Sequence, residues 1–206
     1  MTPKLPTERL ILREIKGDDL FGYYDILSDK DTMKLLGGPT LNNDLDSKNF
    51  VQEMKTERER GISYFWAIIL KEEKEFIGFV RLMSYNSVYY DLSFGAMGEL
   101  RNSPDFLKYI NRKNGWEIEY ALLKNYRNNG IMKEAVGAVL KFCKVENIVP
   151  VYAKVNHVSN TATVNVLRYH NFQEHFPMID QNLLGKYDHK TIIENNEYGM
   201  AFIWNG

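Results

Sequence analysis

The sequence predicts a single domain of the mixed α/β class. The chain has 206 residues, of which 44% are hydrophobic and 13% aromatic, so it can fill one substantial core. Segments with the two-residue period of strands alternate with segments of helical period, and no repeat or low-complexity tract interrupts them. One large domain therefore fits the chain better than two very small ones.

The first half of the chain is predicted to hold a strand, two helices and a hairpin. Asp18 and Asp19 suit the start of a helix, because their side chains can accept hydrogen bonds from free backbone N–H groups. Gly61 suits a helix end, since glycine adopts positive φ without strain. In chain order the predicted elements are a strand at residues 10–15, helices at 20–27 and 47–60, and hairpin arms at 64–70 and 76–83.

The second half is predicted to alternate strands and helices. The predicted strands are at residues 116–123, 148–155 and 198–204, and the predicted helices at 131–146 and 160–170. In the first of these helices, apolar side chains recur at three- and four-residue steps and form one stripe: Met132, Val136, Val139, Leu140 and Cys143. Cys143 is therefore predicted to pack in the core and not to act as a catalytic thiol.

Charge balance and cysteine content exclude several kinds of partner and site. With 26 Lys plus Arg against 27 Asp plus Glu, the net charge of -1 gives no general attraction to nucleic acid or to an anionic membrane. One cysteine forms no intrachain disulfide, and the four histidines lack metal-binding spacing. No apolar run is long enough to span a membrane. We expect a cytoplasmic protein that holds no metal.

The segment from Trp116 to Gly130 carries the strongest functional signal. A strand, a turn rich in Asn and Gly, and the start of a helix follow one another there, so several free backbone N–H groups point to one place. The helix dipole also favours negative charge at that place. The diphosphate of a ligand suits this arrangement, and an ordinary strand-to-helix turn is the alternative.

Arg127-x-x-Gly130 resembles the acetyl-CoA diphosphate loop of the GCN5-related N-acetyltransferases (GNATs), whose pattern is Q/R-x-x-G-x-G/A. Further segments are similar, in the same order, to the branch that contains the ribosomal-protein alanine and serine acetyltransferases. These segments are residues 9–13, 19–20, 27–29, 37–39, 76–80, 160–163 and 171–172. The resemblance covers nearly the whole chain, and this order is more specific than the loop alone.

The resemblance implies a GNAT-like α/β (α+β) fold, in which helices flank a mostly antiparallel central sheet in one domain, residues 1–206. It implies acetyl-CoA as the donor, a primary amine of a small molecule or of a protein N-terminus as the acceptor, and a monomer or homodimer. The residues that it places against acetyl-CoA are Ala121, Leu122, Leu123, Arg127, Asn128, Asn129, Gly130, Ile131, Met132 and Asn160.

Two of these residues depart from the family pattern. The family often has glycine at the position of Asn128, and glycine or alanine at that of Met132. Asparagine tolerates positive φ better than other non-glycine residues, so Asn128 and Asn129 are expected to keep the turn tight. The Met132 side chain is expected to rotate into the core, away from the diphosphate.

Glu117 and Glu119 are the candidates for the general base. On a strand they share one face, opposite Ile118, Tyr120 and Leu122. Glu117 matches by spacing the glutamate that histone acetyltransferases use as base, and two carboxylates beside one cleft can attract a cationic amine. The alternative is that both are solvated or pair with Lys and Arg.

The general acid has no clear counterpart, because Leu167 stands where many relatives have tyrosine. Tyr169, two positions on, points elsewhere on the helix and is expected mainly in the core. Thr163 takes the place of a serine that relatives use near the thioester, where a hydroxyl can donate to the leaving sulfur; a helix-cap role is the alternative. Asn160 is either a CoA contact or a helix N-cap.

Residues 85–114 are rich in Tyr, Asn, Ser and Gly and have no sustained period. The family usually joins the flanking strands by a short turn, so this segment is expected to be an unusual insertion. Its ends lie beside the expected acceptor cleft, and we expect it to cover that cleft as a wall or lid. An extra hairpin or helix, or a dimer contact, is the alternative.

Two functions fit these features, and a third fits them poorly. The first is acetyl transfer from acetyl-CoA to a primary amine by direct attack, without a covalent enzyme intermediate. The second is acyl-CoA binding without turnover, which the missing tyrosine and the departures at residues 128 and 132 keep open. The third, a βαβ nucleotide-binding module, lacks a glycine-rich phosphate fingerprint with its downstream acidic residue.

Overall fold

A computed structural model describes residues 1–36, 40–41, 44–84, 115–157, 159–178 and 199–206. The predicted lid at 85–114 and the 37–39 part of the resemblance lie outside the described residues. The described helices are α1 (Leu20–Ser28), α2 (Lys30–Leu36), α3 (Asp44–Glu59), α4 (Ile131–Val145) and α5 (Thr161–Tyr169). The described strands are β1 (Leu5–Pro6), β2 (Leu10–Glu14), β3 (Ser63–Leu70), β4 (Glu75–Ser84), β5 (Trp116–Leu122), β6 (Val151–Val155), β7 (Gln173–Met178) and β8 (Gly199–Trp204).

These strands form one sheet in the order β1-β2-β3-β4-β5-β6-β8-β7. Every neighbouring pair is antiparallel except β5 and β6, which are parallel. Parallel neighbours need a crossover connection, and α4 supplies it between these two strands. The mixed, mostly antiparallel sheet flanked by helices is confirmed.

The parallel pairing of β5 with β6 is short, and the gap beyond it determines where the candidate active site lies. β5 pairs with β6 only through Trp116 and Glu117. β5 continues along β4 to Leu122, while β6 continues along β8. The two strands therefore diverge towards their C-terminal ends. The β5 edge from Ile118 to Leu122 faces no strand in the described part of the chain.

Both faces of the sheet are apolar and packed under helices. The face under α4 and α5 includes Ile118 and Leu122 of β5, and the face under α1 and α2 includes Ala121. Consecutive strand residues alternate between faces, so Glu117 and Glu119 share one face, as predicted, and the structure shows that it is the face under α1 and α2. Cys143 of α4 is fully buried in the core, as predicted, and burial raises the pKa of its thiol to about 12.

The sequence pattern did not predict β1, α2 or β7. A single residue, Asp29, separates α2 from α1, and α2 is only seven residues long, which is too short to display a helical period. Asp29 makes this start possible, because its Oδ1 accepts hydrogen bonds from the backbone N of Thr32 at 2.8 Å and from its hydroxyl at 2.6 Å. Hydrogen bonds from Lys124 and then Thr32 hold the pKa of Asp29 well below its usual range.

Candidate active site

A cleft of about 520 Å³ opens where β5 and β6 diverge. Its lining comes from α2, β5, the β5–α4 loop, the first turn of α4, the end of β6 and the start of α5. Because residues from both faces of β5 contribute, the cleft passes through the sheet.

No helix in the described part of the chain has the length and apolar character of a membrane span. Nor do the described residues contain a cluster of His, Cys, Asp and Glu that could hold a metal ion.

The N-terminus of α4 forms one end of the cleft. Gly130 is the N-cap residue with φ 73°, and no side chain caps the helix. The first backbone bond of the helix runs from Glu134 N to Gly130 O, at 3.2 Å. Before it, the N–H groups from Asn128 to Lys133 donate to no acceptor among the described residues. A 15-residue helix thus presents a row of free donors and its positive dipole end to the cleft.

The two departures from the family pattern leave this end of the cleft intact. Asn128 adopts φ 64°, as predicted, so it supplies a backbone conformation that glycine would otherwise provide. Met132 is only 8% exposed and belongs to the core under α4, also as predicted.

The Arg127 side chain stabilises the β5–α4 loop through hydrogen bonds. Its Nε and Nη2 donate to the Leu122 carbonyl at 3.1 and 3.0 Å, and Nη2 also donates to the Thr32 hydroxyl at 2.8 Å. Lys124 pairs at 2.7 Å with Asp29, the residue before α2, so both side chains tie the loop to the start of α2. Of the residues predicted to contact acetyl-CoA, Leu123 and Asn129 alone are not on the described cleft wall.

Glu117 and Glu119 both line the cleft, and each has a cationic partner on a neighbouring strand. Lys154 Nζ of β6 lies 2.8 Å from Glu117 Oε2, with both side chains less than 10% exposed, at 4% and 7% respectively. Arg81 of β4 pairs with Glu119 in direct cross-strand register. The two carboxylates are therefore paired with Lys and Arg, the alternative that the sequence left open.

The start of α5 forms the wall opposite β5. Asn160 is the N-cap residue of α5, where its Oδ1 accepts from the backbone N of Thr163 at 3.2 Å. Both residues line the cleft, and the Thr163 hydroxyl has no hydrogen-bond partner among the described residues. Leu167 is fully buried. The core placement predicted for Tyr169 is wrong: it ends α5, is 64% exposed, and lies under the Lys133 ammonium.

Sequence reasoning missed two polar groups of the cleft, Tyr120 and Asn156. The Tyr120 hydroxyl and the Asn156 Oδ1 are buried and have no hydrogen-bond partner among the described residues. Burial raises the pKa of Tyr120 well above its usual value, so the hydroxyl remains a donor at neutral pH. The alternation of side chains along β5 predicts that Tyr120 lies beneath a helix. No feature of the sequence indicates that β6 turns away from β5 beside it.

Residues 9–173 match the family model of the acetyltransferase (GNAT) domain. No curated protein sequence matches the chain. Similar solved structures include a GNAT-family acetyltransferase from Bacillus anthracis, with 18% identity, 98% of each chain covered and a TM-score of 0.67. The ribosomal-protein-S5-alanine acetyltransferase from Vibrio fischeri has 14% identity, covers 98% of this chain and 96% of its own, and has a TM-score of 0.68.

Mycobacterium smegmatis RimJ in complex with CoA-disulfide has 14% identity, covers 100% of this chain and 88% of its own, and has a TM-score of 0.67. At such identities the likeness shows the fold alone. The family match, however, runs from the strand before α1 to the strand after α5 and includes the whole cleft region. This chain belongs to the GNAT acetyltransferase family.

Proposed function

We propose that this protein transfers an acetyl group from acetyl-CoA to a primary amine by direct attack. The row of free N–H groups from Asn128 to Lys133, at one end of a cleft that splits the sheet, carries this proposal. A diphosphate is an anion that this helix end suits. Acetyl-CoA combines such a diphosphate with a long amide-containing arm and a thioester.

The open edge of β5 suits that arm. From Ile118 to Leu122 the strand has no partner on the β6 side among the described residues, so the arm's amides can pair with it as an added strand would. β5 and β6 still pair at Glu117, so the opening between the two strands ends there. From Leu122 to Glu117 is about 16 Å at the rise of a strand, the scale of an extended pantetheine arm. A donor held this way brings its thioester to Glu117.

The chemistry requires a base for the amine, donors for the carbonyl oxygen and a donor for the leaving thiolate. Glu117 is the proposed base, and it faces the α1 side of the sheet, where the amine is expected to enter. The amine nitrogen attacks the thioester carbon, the C–S bond breaks, and the amine proton passes to the base. The hydroxyls of Tyr120, on the other face of β5, and of Thr163, on the opposite wall of the cleft, are the proposed donors to the sulfur or the carbonyl.

Acetyl-CoA is expected to raise the Tm of the protein, because a ligand that binds only the folded state stabilises it by about 2.7 kcal/mol at 100 times its Kd. Thermal denaturation with acetyl-CoA, ATP and NAD measures this, and thiol release with N-terminal peptides and small amines measures turnover. No shift at millimolar acetyl-CoA, or a larger shift with ATP or NAD, would refute the proposal. A shift without thiol release for any amine would instead indicate acyl-CoA binding without turnover.

Tyr120→Phe is expected to lower kcat/KM about tenfold, the effect of losing one hydrogen bond to acetyl-CoA. The variant should be as stable as the wild type or more so, since an unsatisfied buried hydroxyl costs about 1–3 kcal/mol. Tyr126→Phe is the matched control, because its hydroxyl donates to Glu75 at 2.8 Å and does not line the cleft. Unchanged kcat/KM in Tyr120→Phe would remove this hydroxyl from the mechanism.

A further inference from the structure

The turn between β1 and β2 makes a set of bonds to the first turn of α4. The carboxylate of Glu134 accepts from the Thr7 hydroxyl at 2.6 Å, from the Arg9 backbone N at 2.8 Å and from Arg9 Nε at 2.7 Å. The Glu134 side chain is 18% exposed and that of Arg9 44%. One carboxylate thus holds the N-terminal turn against the helix that begins at the cleft.

The same guanidinium also reaches the diphosphate loop. Arg9 Nη1 donates to the Asn129 carbonyl at 2.9 Å, across 120 positions of sequence. Arg9 Nη2 lies 3.7 Å from the place that a Cβ on Gly130 would occupy. Arg9 therefore links the loop, whose neighbouring residues Asn128 and Gly130 have positive φ, to the first turn of α4.

The negative charge of Glu134 would repel a bound diphosphate, and Arg9 offsets that charge. Burial acts to raise the pKa of Glu134, but hydrogen bonds from Thr7 and Arg9 outweigh it and lower that pKa. The carboxylate is then ionised at neutral pH. A negative charge in the first turn of a helix suits the helix dipole, yet it repels a phosphate bound at the same helix end. The adjacent guanidinium cancels this charge.

We propose that Arg9 is a positioning residue for the diphosphate of the acyl donor, which it serves by fixing the Asn129 carbonyl and neutralising Glu134. The inference rests on the proposed function, since it takes acetyl-CoA as the ligand of the loop. It assigns a role in donor binding to the N-terminal turn, which lies outside the strand-loop-helix segment that forms the cleft end.

Calorimetric titration of Arg9→Ala with acetyl-CoA tests the proposal. The expected result is a Kd raised about ten- to a hundredfold, the effect of losing charge-assisted bonds. S-acetylpantetheine, which lacks the diphosphate, should be used by Arg9→Ala with kcat/KM within about twofold of the wild type. A general loss of structure would instead lower kcat/KM for both donors in proportion.

Three more variants separate charge from geometry. Arg9→Lys keeps the charge but cannot hold Glu134 and Asn129 together, so its Kd should fall between those of the wild type and Arg9→Ala. Adding Glu134→Gln to Arg9→Ala should recover part of the affinity, because the repelling charge is removed. Arg168→Ala is the matched control, since Arg168 forms an exposed ion pair with Glu174 at 2.6 Å and does not line the cleft.

The outcomes distinguish this inference from the proposed function. Should the wild type bind acetyl-CoA and Arg9→Ala bind it as tightly, the role of Arg9 is refuted and the proposed function stands. Proportional losses with both donors would make Arg9 a purely structural residue. A wild type that binds no acetyl-CoA would overturn both. If Arg9→Ala does not fold, Arg9→Lys decides, and an unchanged Kd in that variant refutes the geometric role.

Discussion

Gly130→Asp is expected to abolish the binding of acetyl-CoA. Gly130 lines the cleft at the start of α4, and an aspartate there would start from a Cβ 3.7 Å from Arg9 Nη2, beside the free N–H groups. Its carboxylate would put a negative charge where the diphosphate is proposed to bind. Two like charges about 4 Å apart near a protein surface repel by about 4 kcal/mol, which corresponds to a loss of about a thousandfold in affinity.

Gly61→Asp is the matched control for this variant. Gly61 has φ 70°, close to the 73° of Gly130, and no atom lies within 4 Å of an added Cβ. Both variants therefore carry similar backbone strain, of about 1–2 kcal/mol, and both should lower the Tm of the free protein. Only Gly130→Asp should lose the rise in Tm with acetyl-CoA. A folded Gly130→Asp protein that keeps this rise would mean that the diphosphate binds elsewhere.

Glu117→Gln is expected to lower kcat about 10²- to 10⁴-fold, the usual contribution of a general base. It should also lower the free energy of unfolding by about 3–5 kcal/mol, because it leaves the buried ammonium of Lys154 without its carboxylate. Activity alone cannot separate these two effects. Steady-state kinetics with a saturating acceptor and denaturant unfolding should therefore be measured on the same preparations.

The double variant Glu117→Gln/Lys154→Gln separates catalysis from stability. Removing both charges should restore much of the stability, since no uncompensated charge stays buried, while kcat should remain low if Glu117 is the base. Glu119→Gln/Arg81→Gln is the matched control on the adjacent strand pair. Recovery of kcat in the first double variant but not in the second would transfer the role of base to Glu119.

Residues 85–114, the expected insertion between β4 and β5, lie outside the described residues. The lid hypothesis therefore stays a prediction. Replacing residues 85–113 by a short Gly-Ser turn would leave acetyl-CoA binding in place and raise KM for the acceptor if the segment shapes the amine site. An unchanged acceptor KM together with an altered oligomeric state would assign the segment to assembly.

The sequence by itself determined the features that depend on neighbouring residues. The buried stripe of α4, the shared face of Glu117 and Glu119, and the positive φ of Asn128 all follow from local period or from the backbone preference of one residue type. Local rules failed at short elements and helix ends. They missed the seven residues of α2, and they placed the exposed Tyr169 in the core.

Only the tertiary structure decided where the cleft opens and what surrounds each candidate side chain. The divergence of β5 from β6 brings Tyr120 to the cleft, and no residue of β5 signals it, because β6 leaves β5 to continue along the distant strand β8. Lys154 beside Glu117, Arg81 beside Glu119 and Arg9 beside Asn129 likewise come from distant segments. Which distant residues become neighbours depends on how the whole sheet assembles, because the backbone preferences of a short segment do not select one distant partner over another.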